Sequence, residues 1–485
     1  NVTGSNNVAN GYFALKNNTT GNKNVANGSQ ALLSNTTGNL NVATGVESLT
    51  SNTTGTSNVA NGYAALYFNT TGIENTGNGA KSLFYNTTGN NNTGNGFKSL
   101  FKNTTGGYNV ANGSQVLENN TTGSYNVANG SNALFSNTTG SNNVANGGYA
   151  LTSNTTGSSN VANGYKSLIS NTSGSWNTVI GYQAGYKNTT GTVNVANGSN
   201  ALYNNTTGSY NAAYGGSALY SNTTGQNNVA TGYQALYSNT TGSFNAANGY
   251  FSLKLNTTGG FNVANGTNTL NSNTTGDNNT ATGYNTLNSN TTGGNNTATG
   301  YNTGVNNTTT SNNTFLGAYA DLNSSGAAWT ESTALGYAAK ITASNQIMLG
   351  TATETVVVPG DLNITGTLKF AGVSATYVLT TVLNNISAAS SAYVVAPKSG
   401  TISKIYGVID GSITVADATL TVTAGSSSVI TNNLTITQVA SAGGNVYTMV
   451  PSDNNTISPG EVIKITTDGA STTAVSVVLT IEVTL

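Results

Sequence analysis

Glycine returns at every seventeenth position of this chain. Gly4, Gly21, Gly38, Gly55 and Gly72 open the series, which continues without slippage to Gly293, giving 18 coils with no insertion or deletion. With that glycine as slot zero, a coil reads G-x-x-N-[VT]-A-[NT]-G-x-x-[AST]-L-x-x-N-T-T, and GNKNVANGSQALLSNTT, Gly21 to Thr37, is a complete copy. Slot seven is Gly and slot three is Asn in all 18 coils. Slot eleven is Leu in 16, failing at Gly185 and Gly304, and slot five is Ala except at Gly77, Gly94 and Val179. A fixed period this short predicts a β-solenoid in which residue i stacks on residue i+17, about 4.8 Å along the axis.

Helical repeats are set aside because so short a coil cannot hold two helices with their turns, and Val, Thr and Asn favour strands or turns. The spacing predicts two short strands per coil, N-[VT]-A-[NT] and x-[AS]-L-x, joined at corners where the glycines of slots zero and seven supply positive φ. Eighteen coils would make a rod roughly 86 Å long. The asparagines of slot three are expected to form a ladder, each amide bonding to its copies above and below. All four prolines (Pro359, Pro397, Pro451, Pro459) lie beyond the repeats, as a ladder that needs every N–H requires.

Composition removes most chemistry. The 485 residues hold no His or Cys, all 13 basic residues are lysines, and the net charge is −1. That leaves no imidazole base, no thiolate and no zinc or iron–sulfur site of the usual ligands. It leaves no arginine clamp and no field for nucleic acid. No base is spaced beside a nucleophile, so the chain reads as non-catalytic, with no cofactor and no metal. No apolar run is long enough for a membrane-spanning helix, so no membrane insertion is expected. The chain opens at Asn1 rather than Met, which fits a processed or partial product.

The motifs N-V-A-N-G, N-T-V-I-G (Asn177–Gly181), N-T-F-L-G (Asn313–Gly317) and S-T-A-L-G (Ser332–Gly336) resemble the N-x-A-[I/L]-G motif of trimeric autotransporter adhesin heads. Those heads are β-rolls of three intertwined or abutting chains, and similar repeats occur in phage tail and head fibres. The stretch 332–350, STALGYAAKITASNQIMLG, looks like the segment before the terminal domain of many phage fibres. The resemblance covers residues 1–350 and implies a fibre whose main partner is itself, most simply as a homotrimer. This chain departs from the adhesin heads at slot six, which is mostly Asn or Thr where they favour Ile. No anchor barrel or self-cleaving chaperone is legible after the repeats.

Four segments follow: a β-solenoid at 1–317, irregular terminal coils at 318–350, a neck or linker at 351–375 and a β-sandwich or jelly roll at 376–485. The last rests on eight β-branched segments at roughly 12-residue spacing, and it loosely resembles C-terminal domains of phage fibres. Asp410, Asp417, Asp453 and Asp468 fall in separate turns without a calcium-loop spacing and read as solvated carboxylates.

Three functions fit. The first is a virion fibre, with the solenoid as shaft and the sandwich for attachment or for binding a cell-surface glycan or protein receptor. The alternative is a subunit of a bacterial extracellular filament or adhesin; both readings place the chain outside the cell. An ice-binding solenoid is remote, because the paired threonines are adjacent and strand geometry would point them apart. Every coil also ends in an N-x-[ST] sequon, which makes Asn18, Asn35, Asn52, Asn69, Asn86, Asn103, Asn120, Asn137, Asn154, Asn171, Asn188, Asn205, Asn222, Asn239, Asn256, Asn273, Asn290 and Asn307 candidate glycosylation sites. The competing reading is an Asn cap and Thr ladder that stabilise the turn by stacking alone. Tyrosines at slots eight and twelve offer either a sugar-binding array or packing between chains.

Overall fold

The computed structural model describes residues 2–359, 376–383, 391–396, 400–409, 417–424, 428–429, 434–436, 446–451, 456–458, 461–468 and 477–484. The chain is all-β and divides into two compact units, Asn1–Val357 and Val358–Leu485.

The first unit is the solenoid. Its short strands, from Val8–Asn10 and Val25–Asn27 to Thr314–Leu316, recur once per coil and are followed by Thr333–Leu335 and Ile347–Leu349. Together they form one parallel sheet of 21 strands. The register is the sequence period itself, Val8 opposite Val25 and Ala9 opposite Ala26. Twenty steps of about 4.8 Å make the stack roughly 100 Å long.

Only one of the two expected strands exists in each regular coil. Slots four to six are the strand, whereas slots eight to thirteen are consecutive turns. In the second coil Ala31 N–H donates to the Gly28 carbonyl (3.2 Å), Leu33 N–H to Gln30 (3.3 Å) and Asn35 N–H to Leu32 (3.2 Å). Gln30 and Leu32 have φ of 59° and 51°. Positive φ at the third residue of a turn is the mark of type II geometry, usually reserved for Gly or Asn. Here a leucine adopts it in every coil that has one, at a cost of about 1–3 kcal/mol each. Two things offset that strain. The Leu32 N–H reaches the Ser48 carbonyl of the next coil at 3.0 Å, and the reversal turns slots ten and eleven inward together. Ala31 and Leu32 are both fully buried, which adjacent residues of a flat strand cannot be.

The corner glycines have two different reasons. Slot seven has the expected positive φ, as at Gly62 (137°). Slot zero does not; there a side chain has no room. A Cβ on Gly259 would stand 2.5 Å from the Gly276 carbonyl oxygen and 2.5 Å from Asn256 Oδ1.

The core is thin, and changes at one of its slots are met by changes at its neighbours. Slots five, ten and eleven fill it. Where slot five grows, slot eleven shrinks: Val179 shares a coil with Gly185, and buried Phe315 packs over Gly304, where a Cβ would meet its ring at 3.1 Å. Where slot five shrinks, hydroxyls enter. Gly94 lets Ser82 and Ser99 pair at 2.8 Å, and a Cβ there would sit 2.6 Å from Ser82 Oγ.

The regular period fails at the far end. Slot eleven becomes Asp321, and the strand Asp321–Leu322 pairs in parallel with Lys340–Ile341. Asp321 is not among the positive-φ residues, so here the expected second strand forms. Leu322 and Ile341 then continue the core, one slot later than the leucines before them.

Asp321 is 1% exposed and lies 3.9 Å from Lys340 Nζ. Burial pushes its carboxyl up to about 6, against the N–H groups of Asn306 and Leu322 and the Lys340 charge, which pull it down. A folded value above the unfolded one means the fold prefers the neutral acid. Stability from this group is therefore full below about pH 4 and is lost as pH rises toward 6, by up to roughly 3 kcal/mol. Hydrogen exchange of 318–350, corrected for intrinsic rates, should show more opening at pH 7 than at pH 4.5. Asp321→Asn should remove most of that difference; an unchanged difference would exclude Asp321 as its source.

Among its described residues the second unit holds two five-stranded antiparallel sheets. One runs Thr376–Leu383, Val477–Thr484, Gly400–Ile409 and Val446–Met449, with Thr456–Ile457 also on Gly400–Ile409. The other runs Ser391–Val395, Val462–Thr467, Ala418–Ala424 and Ser428–Val429, with Leu434–Ile436 also on Ala418–Ala424. Alternate residues of both, such as Ile405, Leu479 and Ile481 against Leu420, Val422, Ile463 and Ile465, share one buried core, which makes the unit a sandwich. Each of the eight predicted segments contains a strand. Of the neck, 360–375 lie outside the described residues, as do Asp410 and Asp453. Asp468 accepts the Thr419 N–H at 3.2 Å.

Candidate functional site

Two buried asparagine ladders occupy the corner nearest slot zero. In slot three, Asn41 Nδ2 donates to Asn24 Oδ1 (3.2 Å) and to the Gly55 carbonyl (2.9 Å), and Asn41 N–H bonds the same Asn24 oxygen (3.0 Å). In slot fourteen, Asn52 Nδ2 donates to Asn35 Oδ1 (2.8 Å) and to Gly55 O (3.0 Å). Both ladders converge on the slot-zero carbonyl, so a side chain on that glycine would break them together. No buried side-chain polar atom among the described residues lacks a partner.

Slot fourteen is also the sequon asparagine. All 18, from Asn18 to Asn307, are at most 2% exposed. Both Nδ2 hydrogens are engaged along the ladder, so a sugar on that nitrogen would displace a bond and enter a filled corner. The slot-fifteen threonine is bound too, Thr53 Oγ1 donating to the Thr70 carbonyl at 3.1 Å. The slot-sixteen threonine is exposed, and the slot-fifteen threonine is half-buried. The geometry supports the stacking reading of N-T-T, with one threonine row fully exposed and the other half-buried.

Many of the aromatic residues stack on one another from coil to coil. Tyr186, Tyr203, Tyr220 and Tyr237 form a slot-twelve column with centroids 4.9, 5.1 and 5.1 Å apart and planes within 12° of parallel. Slot two adds Tyr108–Tyr125 and Phe244–Phe261, each at 4.9 Å. Inside such a column each ring covers its neighbours' faces, so only edges remain for a sugar. Burial among its neighbours raises the Tyr203 phenol above the ordinary tyrosine value. Sequence parity does not reveal these columns; the signal lies in aromatics recurring at i+17.

The strand side of each coil has a different character. Slots four, six and eight carry no charged residue in any of the 18 coils, and the lysines and acids of the repeats sit at other slots. Val8, Val42, Val59, Val229 and Val263 of slot four are 36–55% exposed there. Between them runs an outer amide ladder in slot six, with Asn112 Nδ2 to Asn129 Oδ1 at 2.7 Å.

One concave feature stands out. Phe68, Tyr85 and Lys102 of slot thirteen and Thr70, Thr87, Thr104 and Thr121 of slot fifteen line an open cleft of about 560 Å³. No group of three or more acidic residues that could hold a metal ion occurs among the described residues. No helix there is long and apolar enough to cross a membrane. No protein-family model matches the chain, and no curated protein matches it.

Proposed function

We propose that the chain is a subunit of a non-catalytic structural fibre, with the solenoid as shaft and the sandwich as its attachment or binding module, as in a virus or phage fibre outside the cell. The observation that carries this reading is the uninterrupted stack. Eighteen coils repeat without one inserted loop, and every buried side-chain polar group among the described residues is hydrogen-bonded. Working residues of enzymes sit disproportionately on loops, and this shaft has no inserted loop to carry them. If the fibre is instead an extracellular filament, copies will repeat along an axis, which images of the native material will reveal.

The partner is a further copy of the chain, seated on the strand side. A strip about 10 Å wide and 100 Å long offers roughly 1,000 Å² per partner, above the usual 800 Å² of a stable interface. It is uncharged throughout, so identical copies meet without repulsion, and its exposed valines are half-solvated in a lone chain. Mass measurement in dilute solution should give a multiple of 48.9 kDa, three copies in the simplest case. A stable folded monomer would refute the assembly.

The shaft should carry no N-linked sugar. Intact mass equal to that of the bare sequence is the expected result, whereas hexose-spaced excess mapping to Asn35 or its copies would show that the ladder geometry fails in the native material.

A further inference from the structure

The outward face of the strands changes at the end of the shaft. Slot six is Asn or Thr in 16 of the 18 regular coils, with Ile180 and Tyr214 as isolated exceptions. In the three strands that follow, Thr314–Leu316, Thr333–Leu335 and Ile347–Leu349, the same position is leucine each time. Coil spacing there is 19 and then 14 residues rather than 17. Even so, Leu316 stands opposite Leu335, and Leu335 opposite Leu349, in the parallel sheet. The period gives way while the leucine column is kept.

Leu316, Leu335 and Leu349 are 46%, 41% and 44% exposed. Ile347, two residues before Leu349 and so on the same face, is 73% exposed. The residues between them point the other way: Phe315 and Ala334 are fully buried, and Met348 packs against the core. The column side of these strands is thus apolar as well as the core side. Parallel strands of that kind are ordinarily covered on both faces, and here the shaft covers one. The flanking outward positions Thr314, Thr333, Ala318 and Tyr337 are uncharged, so like columns can meet without repulsion.

We propose that this leucine column is the lock that joins copies of the chain, parallel and level with one another, at the end of the shaft. It rests on the reading of a further copy as the partner and says where that partner is held. The occupant is a second copy because the column continues the uncharged strand-side strip assigned to self-contact. The lock has a task that the shaft cannot perform. Coils so alike can slide past one another by one step of about 4.8 Å and keep nearly the same contacts. A leucine column confined to one end fits its counterpart in one register. An antiparallel pair with overlapping shafts would set each copy's leucines against the other's amides.

The test is sedimentation of the full chain over a concentration series. One variant combines Leu316→Asn, Leu335→Asn and Leu349→Asn, which extends the shaft's own slot-six residue to its end. The control combines Val127→Thr, Val144→Thr and Val161→Thr; threonine already fills slot four at Thr76 and Thr93, so the coil accommodates it. The leucine variant should dissociate at about a hundredfold higher concentration than the parent, and the control should lose far less. Hydrogen exchange of residues 20–300 should match the parent's in both, which separates lost contact from lost fold. Register has its own readout, because the chain has no cysteine. Leu335→Cys chains should cross-link with one another on oxidation, and should not cross-link with Thr299→Cys chains, two coils away. Undiminished assembly of the leucine variant, equal loss in the control, or cross-links between the unlike positions would each overturn the lock and leave self-assembly standing. A parent that stays monomeric would overturn both.

Discussion

Replacing Leu134 with aspartate should melt the middle of the shaft. Leu134 is fully buried at a left-handed position, and its N–H reaches the Ala150 carbonyl at 3.0 Å. The substitution removes a core side chain and strands a carboxylate among Leu117, Leu151 and buried alanines. An uncompensated buried charge costs about 3–5 kcal/mol, and the lost apolar contacts add to it. Because each coil touches only its neighbours, the damage should stay local. Hydrogen exchange should show coils around 117–151 opening while those near 250 remain protected. Phe135→Ser, one residue along on a half-buried slot that holds Glu118 and Thr152 in adjacent coils, should change little. Equal damage from both would mean the inward face has been misassigned.

A comparable loss is expected from Asn137→Asp. Asn137 Nδ2 donates to Asn120 Oδ1 (2.7 Å) and Gly140 O (2.9 Å), while its Oδ1 accepts from Asn154 (2.8 Å). Aspartate removes two donors and sets a carboxylate against two oxygens in a site without solvent. Unsatisfied buried groups cost about 1–3 kcal/mol each, more when charged, so several kcal/mol should be lost. Thermal unfolding should start below that of the parent. Thr139→Ser, two residues on at the exposed slot, should leave the midpoint within about a degree. If aspartate is tolerated at 137, the ladder is not the element that fixes the corner.

The parts of this fold that show in the sequence are those that repeat. The period, the inward Ala and Leu and the asparagine ladders follow from residues that recur at i+17, because in a solenoid sequence spacing and spatial neighbourhood coincide. Local conformation inside the coil is harder to read. Leu32 has every reason to avoid positive φ, and only the bond to Ser48 in the next coil and burial beside Ala31 explain why it adopts it. Ala and Leu in adjacent slots are the available hint, since a strand would separate them. Gly259 misleads for a related reason: the carbonyl that forbids its side chain belongs to the following coil. The cleft is not legible, because Phe68, Tyr85 and Lys102 look like variation at a tolerant slot until the threonine floor beside them is seen. In the sandwich, alternation locates the strands, and the pairing of Val477–Thr484 between Thr376–Leu383 and Gly400–Ile409 becomes evident only from the sheet.

Electron microscopy of the native assembly tests the fibre reading most directly. The account predicts rods with a shaft of roughly 100 Å, an axial spacing of about 4.8 Å and more than one chain in cross-section. Compact particles without axial periodicity, or rods one chain wide, would contradict it.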